Sequence, residues 1–300
     1  MKIFQNFSDM DILPLSSETG DKMIRLIASD LDGTLLNTRS EISDYSIQIL
    51  TEAIREGILF VPCSGRSARN IINKTKNIPG IRYVIGANGT DVINIENDEI
   101  LFSSPMDKET VLSICRYVRD HGGFLEIYDH IDSYIQEGSE ENFYESGIDY
   151  AVGSSILEAA IKLPDLIKAV EEDRIIICKM HITFPDPAQM EDLEARCLKK
   201  GDLLVTHPTY FNMEIFPKGS DKDKALAMIA EKEGIGQDEI MAIGDSSNDL
   251  TMIRYAGTGV AVSNAMPVLK EAADIITGSN DEDGAAAAVR EVLEKQKVEK

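Results

Sequence analysis

Two aspartates, Asp30 and Asp32, stand two residues apart directly after an apolar run at residues 23–28. The run is typical of a buried parallel strand, and the glycine at position 33 ends it. Carboxylates at the mouth of a buried strand are costly unless a cation, hydrogen-bond donors or protons satisfy them. The pair therefore predicts chemistry that uses a metal ion or a proton transfer. The structural alternative is an acidic turn in which Asp32 and Thr34 cap a helix.

Three further polar segments follow other predicted strands: 64–66 (Ser-Gly-Arg), 218–224 with its three lysines, and 244–249 (Gly-Asp-Ser-Ser-Asn-Asp). The carboxyl ends of parallel strands line one crevice, where ligands bind near a switch in strand order. We therefore expect these segments and 30–35 to meet in one active site.

The spacing of Asp245 and Asp249 indicates a metal site. Four residues apart at a predicted helix start, they face the same way. With Asp30 they could offer three carboxylates to Mg²⁺, which prefers oxygen ligands. Alternatively, Asp245 and Ser246 only cap the helix that follows.

Ser64 and Gly65 indicate a phosphate site, because a hydroxyl and an unhindered N–H stand at a predicted helix N-terminus. A nearby lysine would reduce the repulsion between an aspartate nucleophile and a phosphate dianion. Spacing alone does not choose among Lys218, Lys222 and Lys224.

Strand and helix signals alternate in two blocks of the chain. In the first block we expect strands at 23–29, 58–63 and 83–85 in one parallel sheet, with helices at 43–56 and 67–77. A hairpin at 90–103, a strand at 174–184 and further elements to about 216 indicate an α+β module. After Pro217, strand and helix signals alternate again. The prediction is an α/β fold, a doubly wound (Rossmann-like) parallel-sheet core with an inserted α+β cap domain.

The predicted domain bounds follow from this pattern. Residues 23–87 and 217–300 form the core, and 88–216 form the inserted cap. Residues 1–22 do not resemble a secretion signal, so we do not expect one there. We expect them to be a mobile extension or a docking arm, unless the true start is Met23.

Composition excludes several classes of function. The net charge is −22, which repels nucleic acid and anionic membranes. No apolar run approaches the ~20 residues that span a bilayer. Four widely spaced cysteines indicate reduced thiols and a cytoplasmic protein. The four histidines lack ligand spacing, which argues against zinc. Nothing marks a partner protein.

Together the motifs resemble those of the haloacid dehalogenase superfamily of phosphatases, in the right order. The long insertion resembles the cap of the Cof-type (class IIB) branch, and the resemblance covers about 23–295. The matching motifs are Asp30-x-Asp32-Gly-Thr34, Ser64-Gly65, Lys222 and Gly244-Asp245-x-x-Asn248-Asp249, with support from Ala87-Asn88-Gly89, Asn264-Ala265 and 280–284.

The resemblance implies a role for each matching residue. Asp30 would be the nucleophile that forms an aspartyl-phosphate. Asp32 would protonate the leaving alkoxide and then activate water. The implied Mg²⁺ ligands are Asp30, Asp32 through its backbone carbonyl, Asp245, Ser246 and Asp249, the last directly or through water. The implied phosphate-binding residues are Leu31, Ser64, Gly65, Lys222 and Asn248.

One position departs from the family pattern. Lys222 is followed by Asp223, where the family usually has glycine. The frame Pro-Lys-Gly-x-x-Lys still selects Lys222 over the other two lysines, although the adjacent carboxylate could change its orientation.

Specificity would come from the cap closing over the crevice and excluding water. The candidate substrate-contacting residues there are Asp129, His130, Tyr134, Lys179 and His181. The expected substrate is a small phosphorylated metabolite, such as a sugar phosphate, a nucleotide-like phosphate or pyridoxal phosphate. The alternatives are a sugar-phosphate mutase and a non-catalytic binder of metal and phosphate with a regulatory role.

Overall fold

The computed structural model describes residues 23–145, 157–207 and 212–298. The predicted extension at 1–22 lies outside the described residues. The chain separates into two compact units. The first unit comprises residues up to 60 and from 230 onward, and the second unit comprises 61–229. The division predicted from the sequence, with a cap at 88–216, stays a prediction. No helix among the described residues is long and apolar enough to cross a membrane.

A sheet of five strands organises the first unit, in the order β14-β13-β12-β1-β2. Its strands are β1 (Leu26–Ser29), β2 (Leu59–Pro62, which carries the chain into the second unit), β12 (Ile240–Gly244), β13 (Thr258–Val262) and β14 (Ile275–Thr277). The pairs β1–β12, β12–β13 and β13–β14 are parallel. β1 and β12 are completely buried, which explains their unbroken apolar sequences.

Helices accompany this sheet along the chain. They are α1 (Asp44–Arg55), α8 (Leu250–Tyr255), α9 (Pro267–Ala272) and α10 (Gly284–Val298). Ser43 caps α1 by accepting a hydrogen bond from the N–H of Ser46. α1 packs against α10, and there Lys297 Nζ donates to Glu52 Oε1 over 2.6 Å. The predicted parallel α/β core is confirmed.

A six-stranded sheet, in the order β10-β11-β9-β6-β7-β8, forms much of the second unit. Its strands are β6 (Phe124–Tyr128), β7 (Ser133–Gln136), β8 (Ile161–Leu163), β9 (Lys179–Thr183), β10 (Leu203–Thr206) and β11 (Asn212–Pro217). The helices of this unit are α2 (Ala68–Thr75), α3 (Lys108–Asp120), α4 (Glu140–Glu145), α5 (Leu166–Glu171), α6 (Pro187–Lys200) and α7 (Lys222–Glu233, which runs on into the first unit).

A separate three-stranded sheet joins β3 (Tyr83–Gly86), β4 (Asp91–Asn94) and β5 (Glu99–Ser103). The predicted hairpin is confirmed, but the expected place of β3 in the parallel sheet was wrong. β3 pairs antiparallel with β4 and makes one isolated parallel bridge, between Ile85 and Cys63. This bridge lies just beyond the end of β2, so β3 is parallel to β2 there but forms its ladder with β4, to which a short turn connects it.

The predicted strand at 174–184 is shorter than expected. β9 begins only at Lys179. Asp173 has a φ of 54°, and Arg174 N–H donates to the carbonyl of Ala169 at the end of α5. These residues complete the helix terminus, so their backbone is unavailable to the sheet.

Candidate functional site

Three carboxylates from distant parts of the first unit meet at one end of its sheet. One carboxylate oxygen from each of Asp30, Asp245 and Asp249 lies within 4.8 Å of the other two. Asp30 is 4% exposed and Asp249 is fully buried, while Asp245 is half-buried. The structure thus brings together the three side chains that the sequence proposed as metal ligands.

Strand register explains the meeting of Asp30 and Asp245. In the parallel pair β1–β12, Ser29 lies opposite Ile243, and Asp30 N–H donates to the carbonyl of Ile243 over 2.9 Å. Both aspartates therefore stand where their strands end. Strand order also reverses here, because β2 lies on one side of β1 and β12 on the other. This is the switch point at which open α/β sheets bind ligands.

The loop after β1 is shaped around Asp245. Thr34 Oγ1 donates a hydrogen bond to Asp245 Oδ1 over 2.9 Å. Gly33 has a φ of +77°, and a Cβ placed on it would lie 2.6 Å from Asp245 Oδ2. Only glycine fits this backbone without displacing the carboxylate. The glycine and threonine of the Asp-x-Asp-Gly-Thr segment therefore position Asp245.

Asp249 has a structural role in addition to its place in the cluster. Its Oδ2 accepts hydrogen bonds from the backbone N–H groups of Asp245 and Ser246, both over 3.0 Å. The segment after Gly244 is a 3₁₀ turn, Ser247–Asp249, that leads into α8. The capping alternative applies to Ser246, which is the N-cap of this turn and forms a capping box with Asp249. Asp245 instead accepts a hydrogen bond from Thr34 and belongs to the carboxylate cluster.

Two asparagines tie this loop to the rest of the first unit. Asn264 Nδ2 donates to the carbonyl of Gly33 over 2.7 Å. Asn280 Nδ2 donates to the carbonyl of Leu36 over 2.9 Å, and its N–H donates to Asn264 Oδ1. The motif matches at Asn264 and 280–284 thereby have a physical explanation as supports of the loop.

The cluster fits a hard divalent cation. Mg²⁺ binds oxygen at about 2.0–2.1 Å in octahedral geometry, which places ligand oxygens about 2.9–4.2 Å apart. The oxygens of Asp30, Asp245 and Asp249 lie within 4.8 Å of one another, so small side-chain movements would let them share one ion. Charged carboxylates this close repel one another, and burial increases the cost. A bound cation would remove both penalties.

The remaining predicted residues of the first unit surround this cluster. Asp32 is exposed, in contrast to buried Asp30. Leu31 is buried, and its carbonyl accepts the N–H groups of the turn that follows. Ser246 Oγ donates to Asn248 Oδ1 over 2.6 Å. Asp32 and Asn248 are therefore accessible to a solute.

In the second unit, the Lys222 side chain contacts the backbone beside Ser64. Both are 1% exposed. Lys222 Nζ donates to the carbonyl of Cys63 over 3.2 Å, and Ser64 Oγ accepts from the N–H of Arg66 over 3.3 Å. A Cβ on Gly89 would lie 2.9 Å from Lys222 N, so the turn after β3 packs directly on the start of α7.

The three lysines of segment 218–224 differ in their burial. Lys218 and Lys224 are exposed. Lys218 Nζ donates to the carbonyl of Gly201, and Lys224 forms an ion pair with Asp221 over 3.0 Å. Lys222 alone of the three is buried, and an anion beside it would offset the desolvation that disfavours its charge. Asp223 has an oxygen, Oδ1, that is buried and accepts no hydrogen bond from the described residues.

Lys179 forms a buried network that the sequence did not predict. It is fully buried, forms an ion pair with Glu214, and lies over the Tyr128 ring at 4.9 Å. Its Nζ donates to the carbonyl of Gly65 over 2.6 Å. Glu214 also accepts from Asn88 Nδ2 over 2.6 Å. The partners come from three strands and two loops that are distant along the chain, so no spacing signal could have identified them.

The other proposed cap residues have partners within the second unit. His181 Nδ1 lies 3.3 Å from Glu126 Oε2, and Asp129 Oδ2 accepts from the Tyr134 hydroxyl over 2.7 Å. Burial, followed by the Asp129 hydrogen bond, raises the pKa of Tyr134 above its ordinary value. His130 belongs to a different cluster, described below. A substrate role for any of these residues stays a prediction.

The sequence is similar to known hydrolases over most of its length. The model of the haloacid dehalogenase-like hydrolases matches residues 27–289. The chain is 29% identical over 282 residues to 5-amino-6-(5-phospho-D-ribitylamino)uracil phosphatase YcsE of Bacillus subtilis, covering 92% of this chain and 98% of that protein.

Solved structures show the same architecture. A haloacid dehalogenase-like hydrolase from Bacteroides thetaiotaomicron superposes with a TM-score of 0.78 and 29% identity, covering 90% of this chain and 99% of that one. A second such hydrolase, from B. subtilis, has a TM-score of 0.76 and 27% identity over 89% of this chain and 99% of its own.

Proposed function

The chain belongs to the haloacid dehalogenase-like hydrolases, and on this premise we propose that it is a Mg²⁺-dependent phosphatase that hydrolyses a small phosphate monoester through an aspartyl-phosphate. Several of its relatives are named phosphatases, which supports the proposal. The observation that carries the proposal is the meeting of Asp30, Asp245 and Asp249. Oxygen donors alone favour Mg²⁺ over softer metals.

The chemistry divides between Asp30 and Asp32. A carboxylate oxygen of Asp30 attacks phosphorus, and the bond from phosphorus to the substrate oxygen breaks. Asp32 gives its proton to the departing alkoxide and then takes a proton from the water that hydrolyses the aspartyl-phosphate. Buried Asp30 and exposed Asp32 suit these roles. Mg²⁺, held by Asp30, Asp245, Asp249, Ser246 and the backbone carbonyl of Asp32, would supply charge neutralisation.

The motif resemblance assigns phosphate binding to five groups. The Leu31 N–H, Ser64, Gly65, Lys222 and Asn248 orient the phosphoryl group and offset its charge. Phosphoryl transfer depends mainly on such positioning and neutralisation. Burial of Lys222 supports its assignment.

The substrate is proposed to be a small phosphorylated metabolite. YcsE is named for a phosphorylated ribitylaminouracil, which supports this size class. The inserted segment 88–216 would act as the specificity cap. Four cysteines outside any disulfide support a cytoplasmic location.

A phosphate-release assay tests the proposal. The full chain is incubated with a panel of phosphorylated metabolites in Mg²⁺ or in EDTA. We expect release of inorganic phosphate with Mg²⁺, loss of release in EDTA, and loss of turnover in Asp30→Asn. The control Asp44→Asn changes an exposed aspartate on α1 and should retain activity. Turnover by D30N, or isomerised sugar phosphate without phosphate release, would contradict the proposal.

A further inference from the structure

A second cluster of metal-binding side chains lies within the second unit, built from Asp91, His130 and Cys178. Asp91 is on β4, His130 follows β6, and Cys178 immediately precedes β9. His130 is separated along the chain by 39 residues from Asp91 and by 48 from Cys178. Metal ligands that lie so far apart along the chain form no recognisable spacing motif. The expectation against zinc was based on the absence of such a motif, and this cluster would not produce one.

The distances between these atoms match a tetrahedral metal site. His130 Nδ1 lies 3.4 Å from Asp91 Oδ1 and 3.5 Å from Cys178 Sγ, and all three atoms lie within 4.8 Å of one another. Tetrahedral Zn²⁺ has bonds of about 2.0–2.3 Å, which separate nitrogen from oxygen donors by about 3.4 Å and nitrogen from sulfur donors by about 3.6 Å. The side chains therefore need little movement to share one ion.

The charge balance of Asp91 also favours a cation. Asp91 is 1% exposed, and among the described residues His130 is the one basic side chain in ion-pair range of it. The Thr90 and Ser103 hydroxyls donate to its two oxygens over 2.8 and 2.9 Å. A buried carboxylate held mainly by neutral donors keeps much of its desolvation cost.

Ser103 is the shared neighbour of the cluster. Its Oγ lies 2.6 Å from His130 Nδ1 and 3.2 Å from Cys178 Sγ, in addition to its bond to Asp91. One hydroxyl thus contacts all three donor atoms. A single rotatable bond lets the hydroxyl move aside for an ion or supply its oxygen as the fourth ligand.

We propose that Asp91, His130 and Cys178 form a second metal site, which takes Zn²⁺ or a cation of similar softness, with the Ser103 hydroxyl or a water as fourth ligand. On binding, the thiol proton of Cys178 passes to solvent and a sulfur–metal bond forms. Thiolate and imidazole select such ions over Mg²⁺, whereas the Asp30 cluster offers only oxygen. The site would join β4, β6 and β9 and stabilise the second unit.

Cobalt spectroscopy tests the site, because Co²⁺ replaces Zn²⁺ and a cobalt–thiolate bond absorbs in the near ultraviolet. Chelator-treated full chain is titrated with Co²⁺, and its fold is checked by circular dichroism. We expect a thiolate band that saturates near one equivalent and disappears on addition of Zn²⁺. Cys178→Ser should lose the band, while Cys115→Ser and Cys197→Ser, which change other buried cysteines of the same unit, should keep it.

Three further variants make the result independent of folding defects in C178S. His130→Asn should abolish the rise in Tm that Zn²⁺ produces, whereas the control His121→Asn, at the exposed end of α3, should retain it. D30N should leave the cobalt–thiolate band unchanged, which separates this site from the carboxylate cluster. A folded wild-type chain without the band, or a band that persists in C178S, would overturn the proposal.

Discussion

Thr34 Oγ1 donates a hydrogen bond to Asp245 Oδ1 over 2.9 Å, between residues 211 positions apart in the chain. The bond joins the loop after β1 to the end of β12. It holds one carboxylate of the proposed Mg²⁺ site in a fixed orientation, and it leaves Asp245 Oδ2 beside Gly33. Two neighbouring residues of one short motif thus position the same distant carboxylate.

Replacing Thr34 by valine should weaken metal binding. The change keeps the side-chain shape but removes the donor to Asp245, at a cost of about 1–2 kcal/mol. We expect the Mg²⁺ concentration for half-maximal phosphate release to rise by about 5- to 30-fold. Thr277→Val is a matched control, since it removes a hydroxyl that donates to the Gly284 carbonyl over 2.8 Å. An equal rise in T277V would show that the effect is not specific to Asp245.

Gly33→Ala should impair activity more than stability. The new Cβ would lie 2.6 Å from Asp245 Oδ2, at a φ of +77°. Gly57→Ala is the control, because Gly57 has a φ of +93° and nothing within 4 Å of the added Cβ. Both variants should lose about 1–2 kcal/mol in the free energy of unfolding from the left-handed backbone.

Only G33A should also lose most of its phosphatase activity, because only there does the methyl group displace a carboxylate. Urea unfolding and phosphate release, measured on both variants, separate the two effects. Full activity in a folded G33A would show that the position of Asp245 does not matter.

Lys222→Met should reduce phosphate release by about a hundredfold or more, the usual effect of removing one preorganised charge from a transition state. Its Nζ is buried beside the Cys63 carbonyl. Lys224→Met removes an exposed lysine two residues away and should change activity by less than about twofold. Inhibition by inorganic phosphate should weaken only in K222M, which a purely structural role for Lys222 would not produce.

Buried cysteines should react with alkylating agents in a defined order. Burial raises the pKa of Cys115 to about 12 and that of Cys197 to about 11, from 9.0. At pH 8 the reactive thiolate is then about one in ten thousand of Cys115 and about one in a thousand of Cys197.

Iodoacetamide labelling followed by peptide mass spectrometry should show Cys197 ahead of Cys115 in the native chain, with both rates rising as pH rises. In urea the two should react alike. Native Cys115 that labels as fast as in urea would contradict its burial.

Much of the fold could be read along the chain. The helices predicted at 43–56 and 67–77 correspond to α1 and α2, because helix periodicity and end signals act within a few residues. The partner of β3 could not be read this way. Its pairing depends on a turn in which Ala87 and Asn88 have φ values of 47° and 62°, and neither residue type demands that conformation.

The candidate site, like the fold, could be predicted only in part from the sequence. Their positions at strand ends and the spacing of Asp245 and Asp249 identified Asp30, Asp245 and Asp249 as a set, and the motif frame around 217–222 selected Lys222. The structural roles of Gly33, Thr34 and Asn264 could not be predicted, because each of them contacts a residue more than 200 positions away in the chain.

The sequence by itself determined which strands are buried, which carboxylates end them and which family the chain resembles, because those properties depend on residue type and local order. Only the tertiary structure decided that Lys179 donates to the Gly65 carbonyl and that Asp91, His130 and Cys178 share one pocket of donors. These contacts join loops and strands of different sheets that are distant along the chain. They depend on how the whole chain packs, and no single segment specifies them.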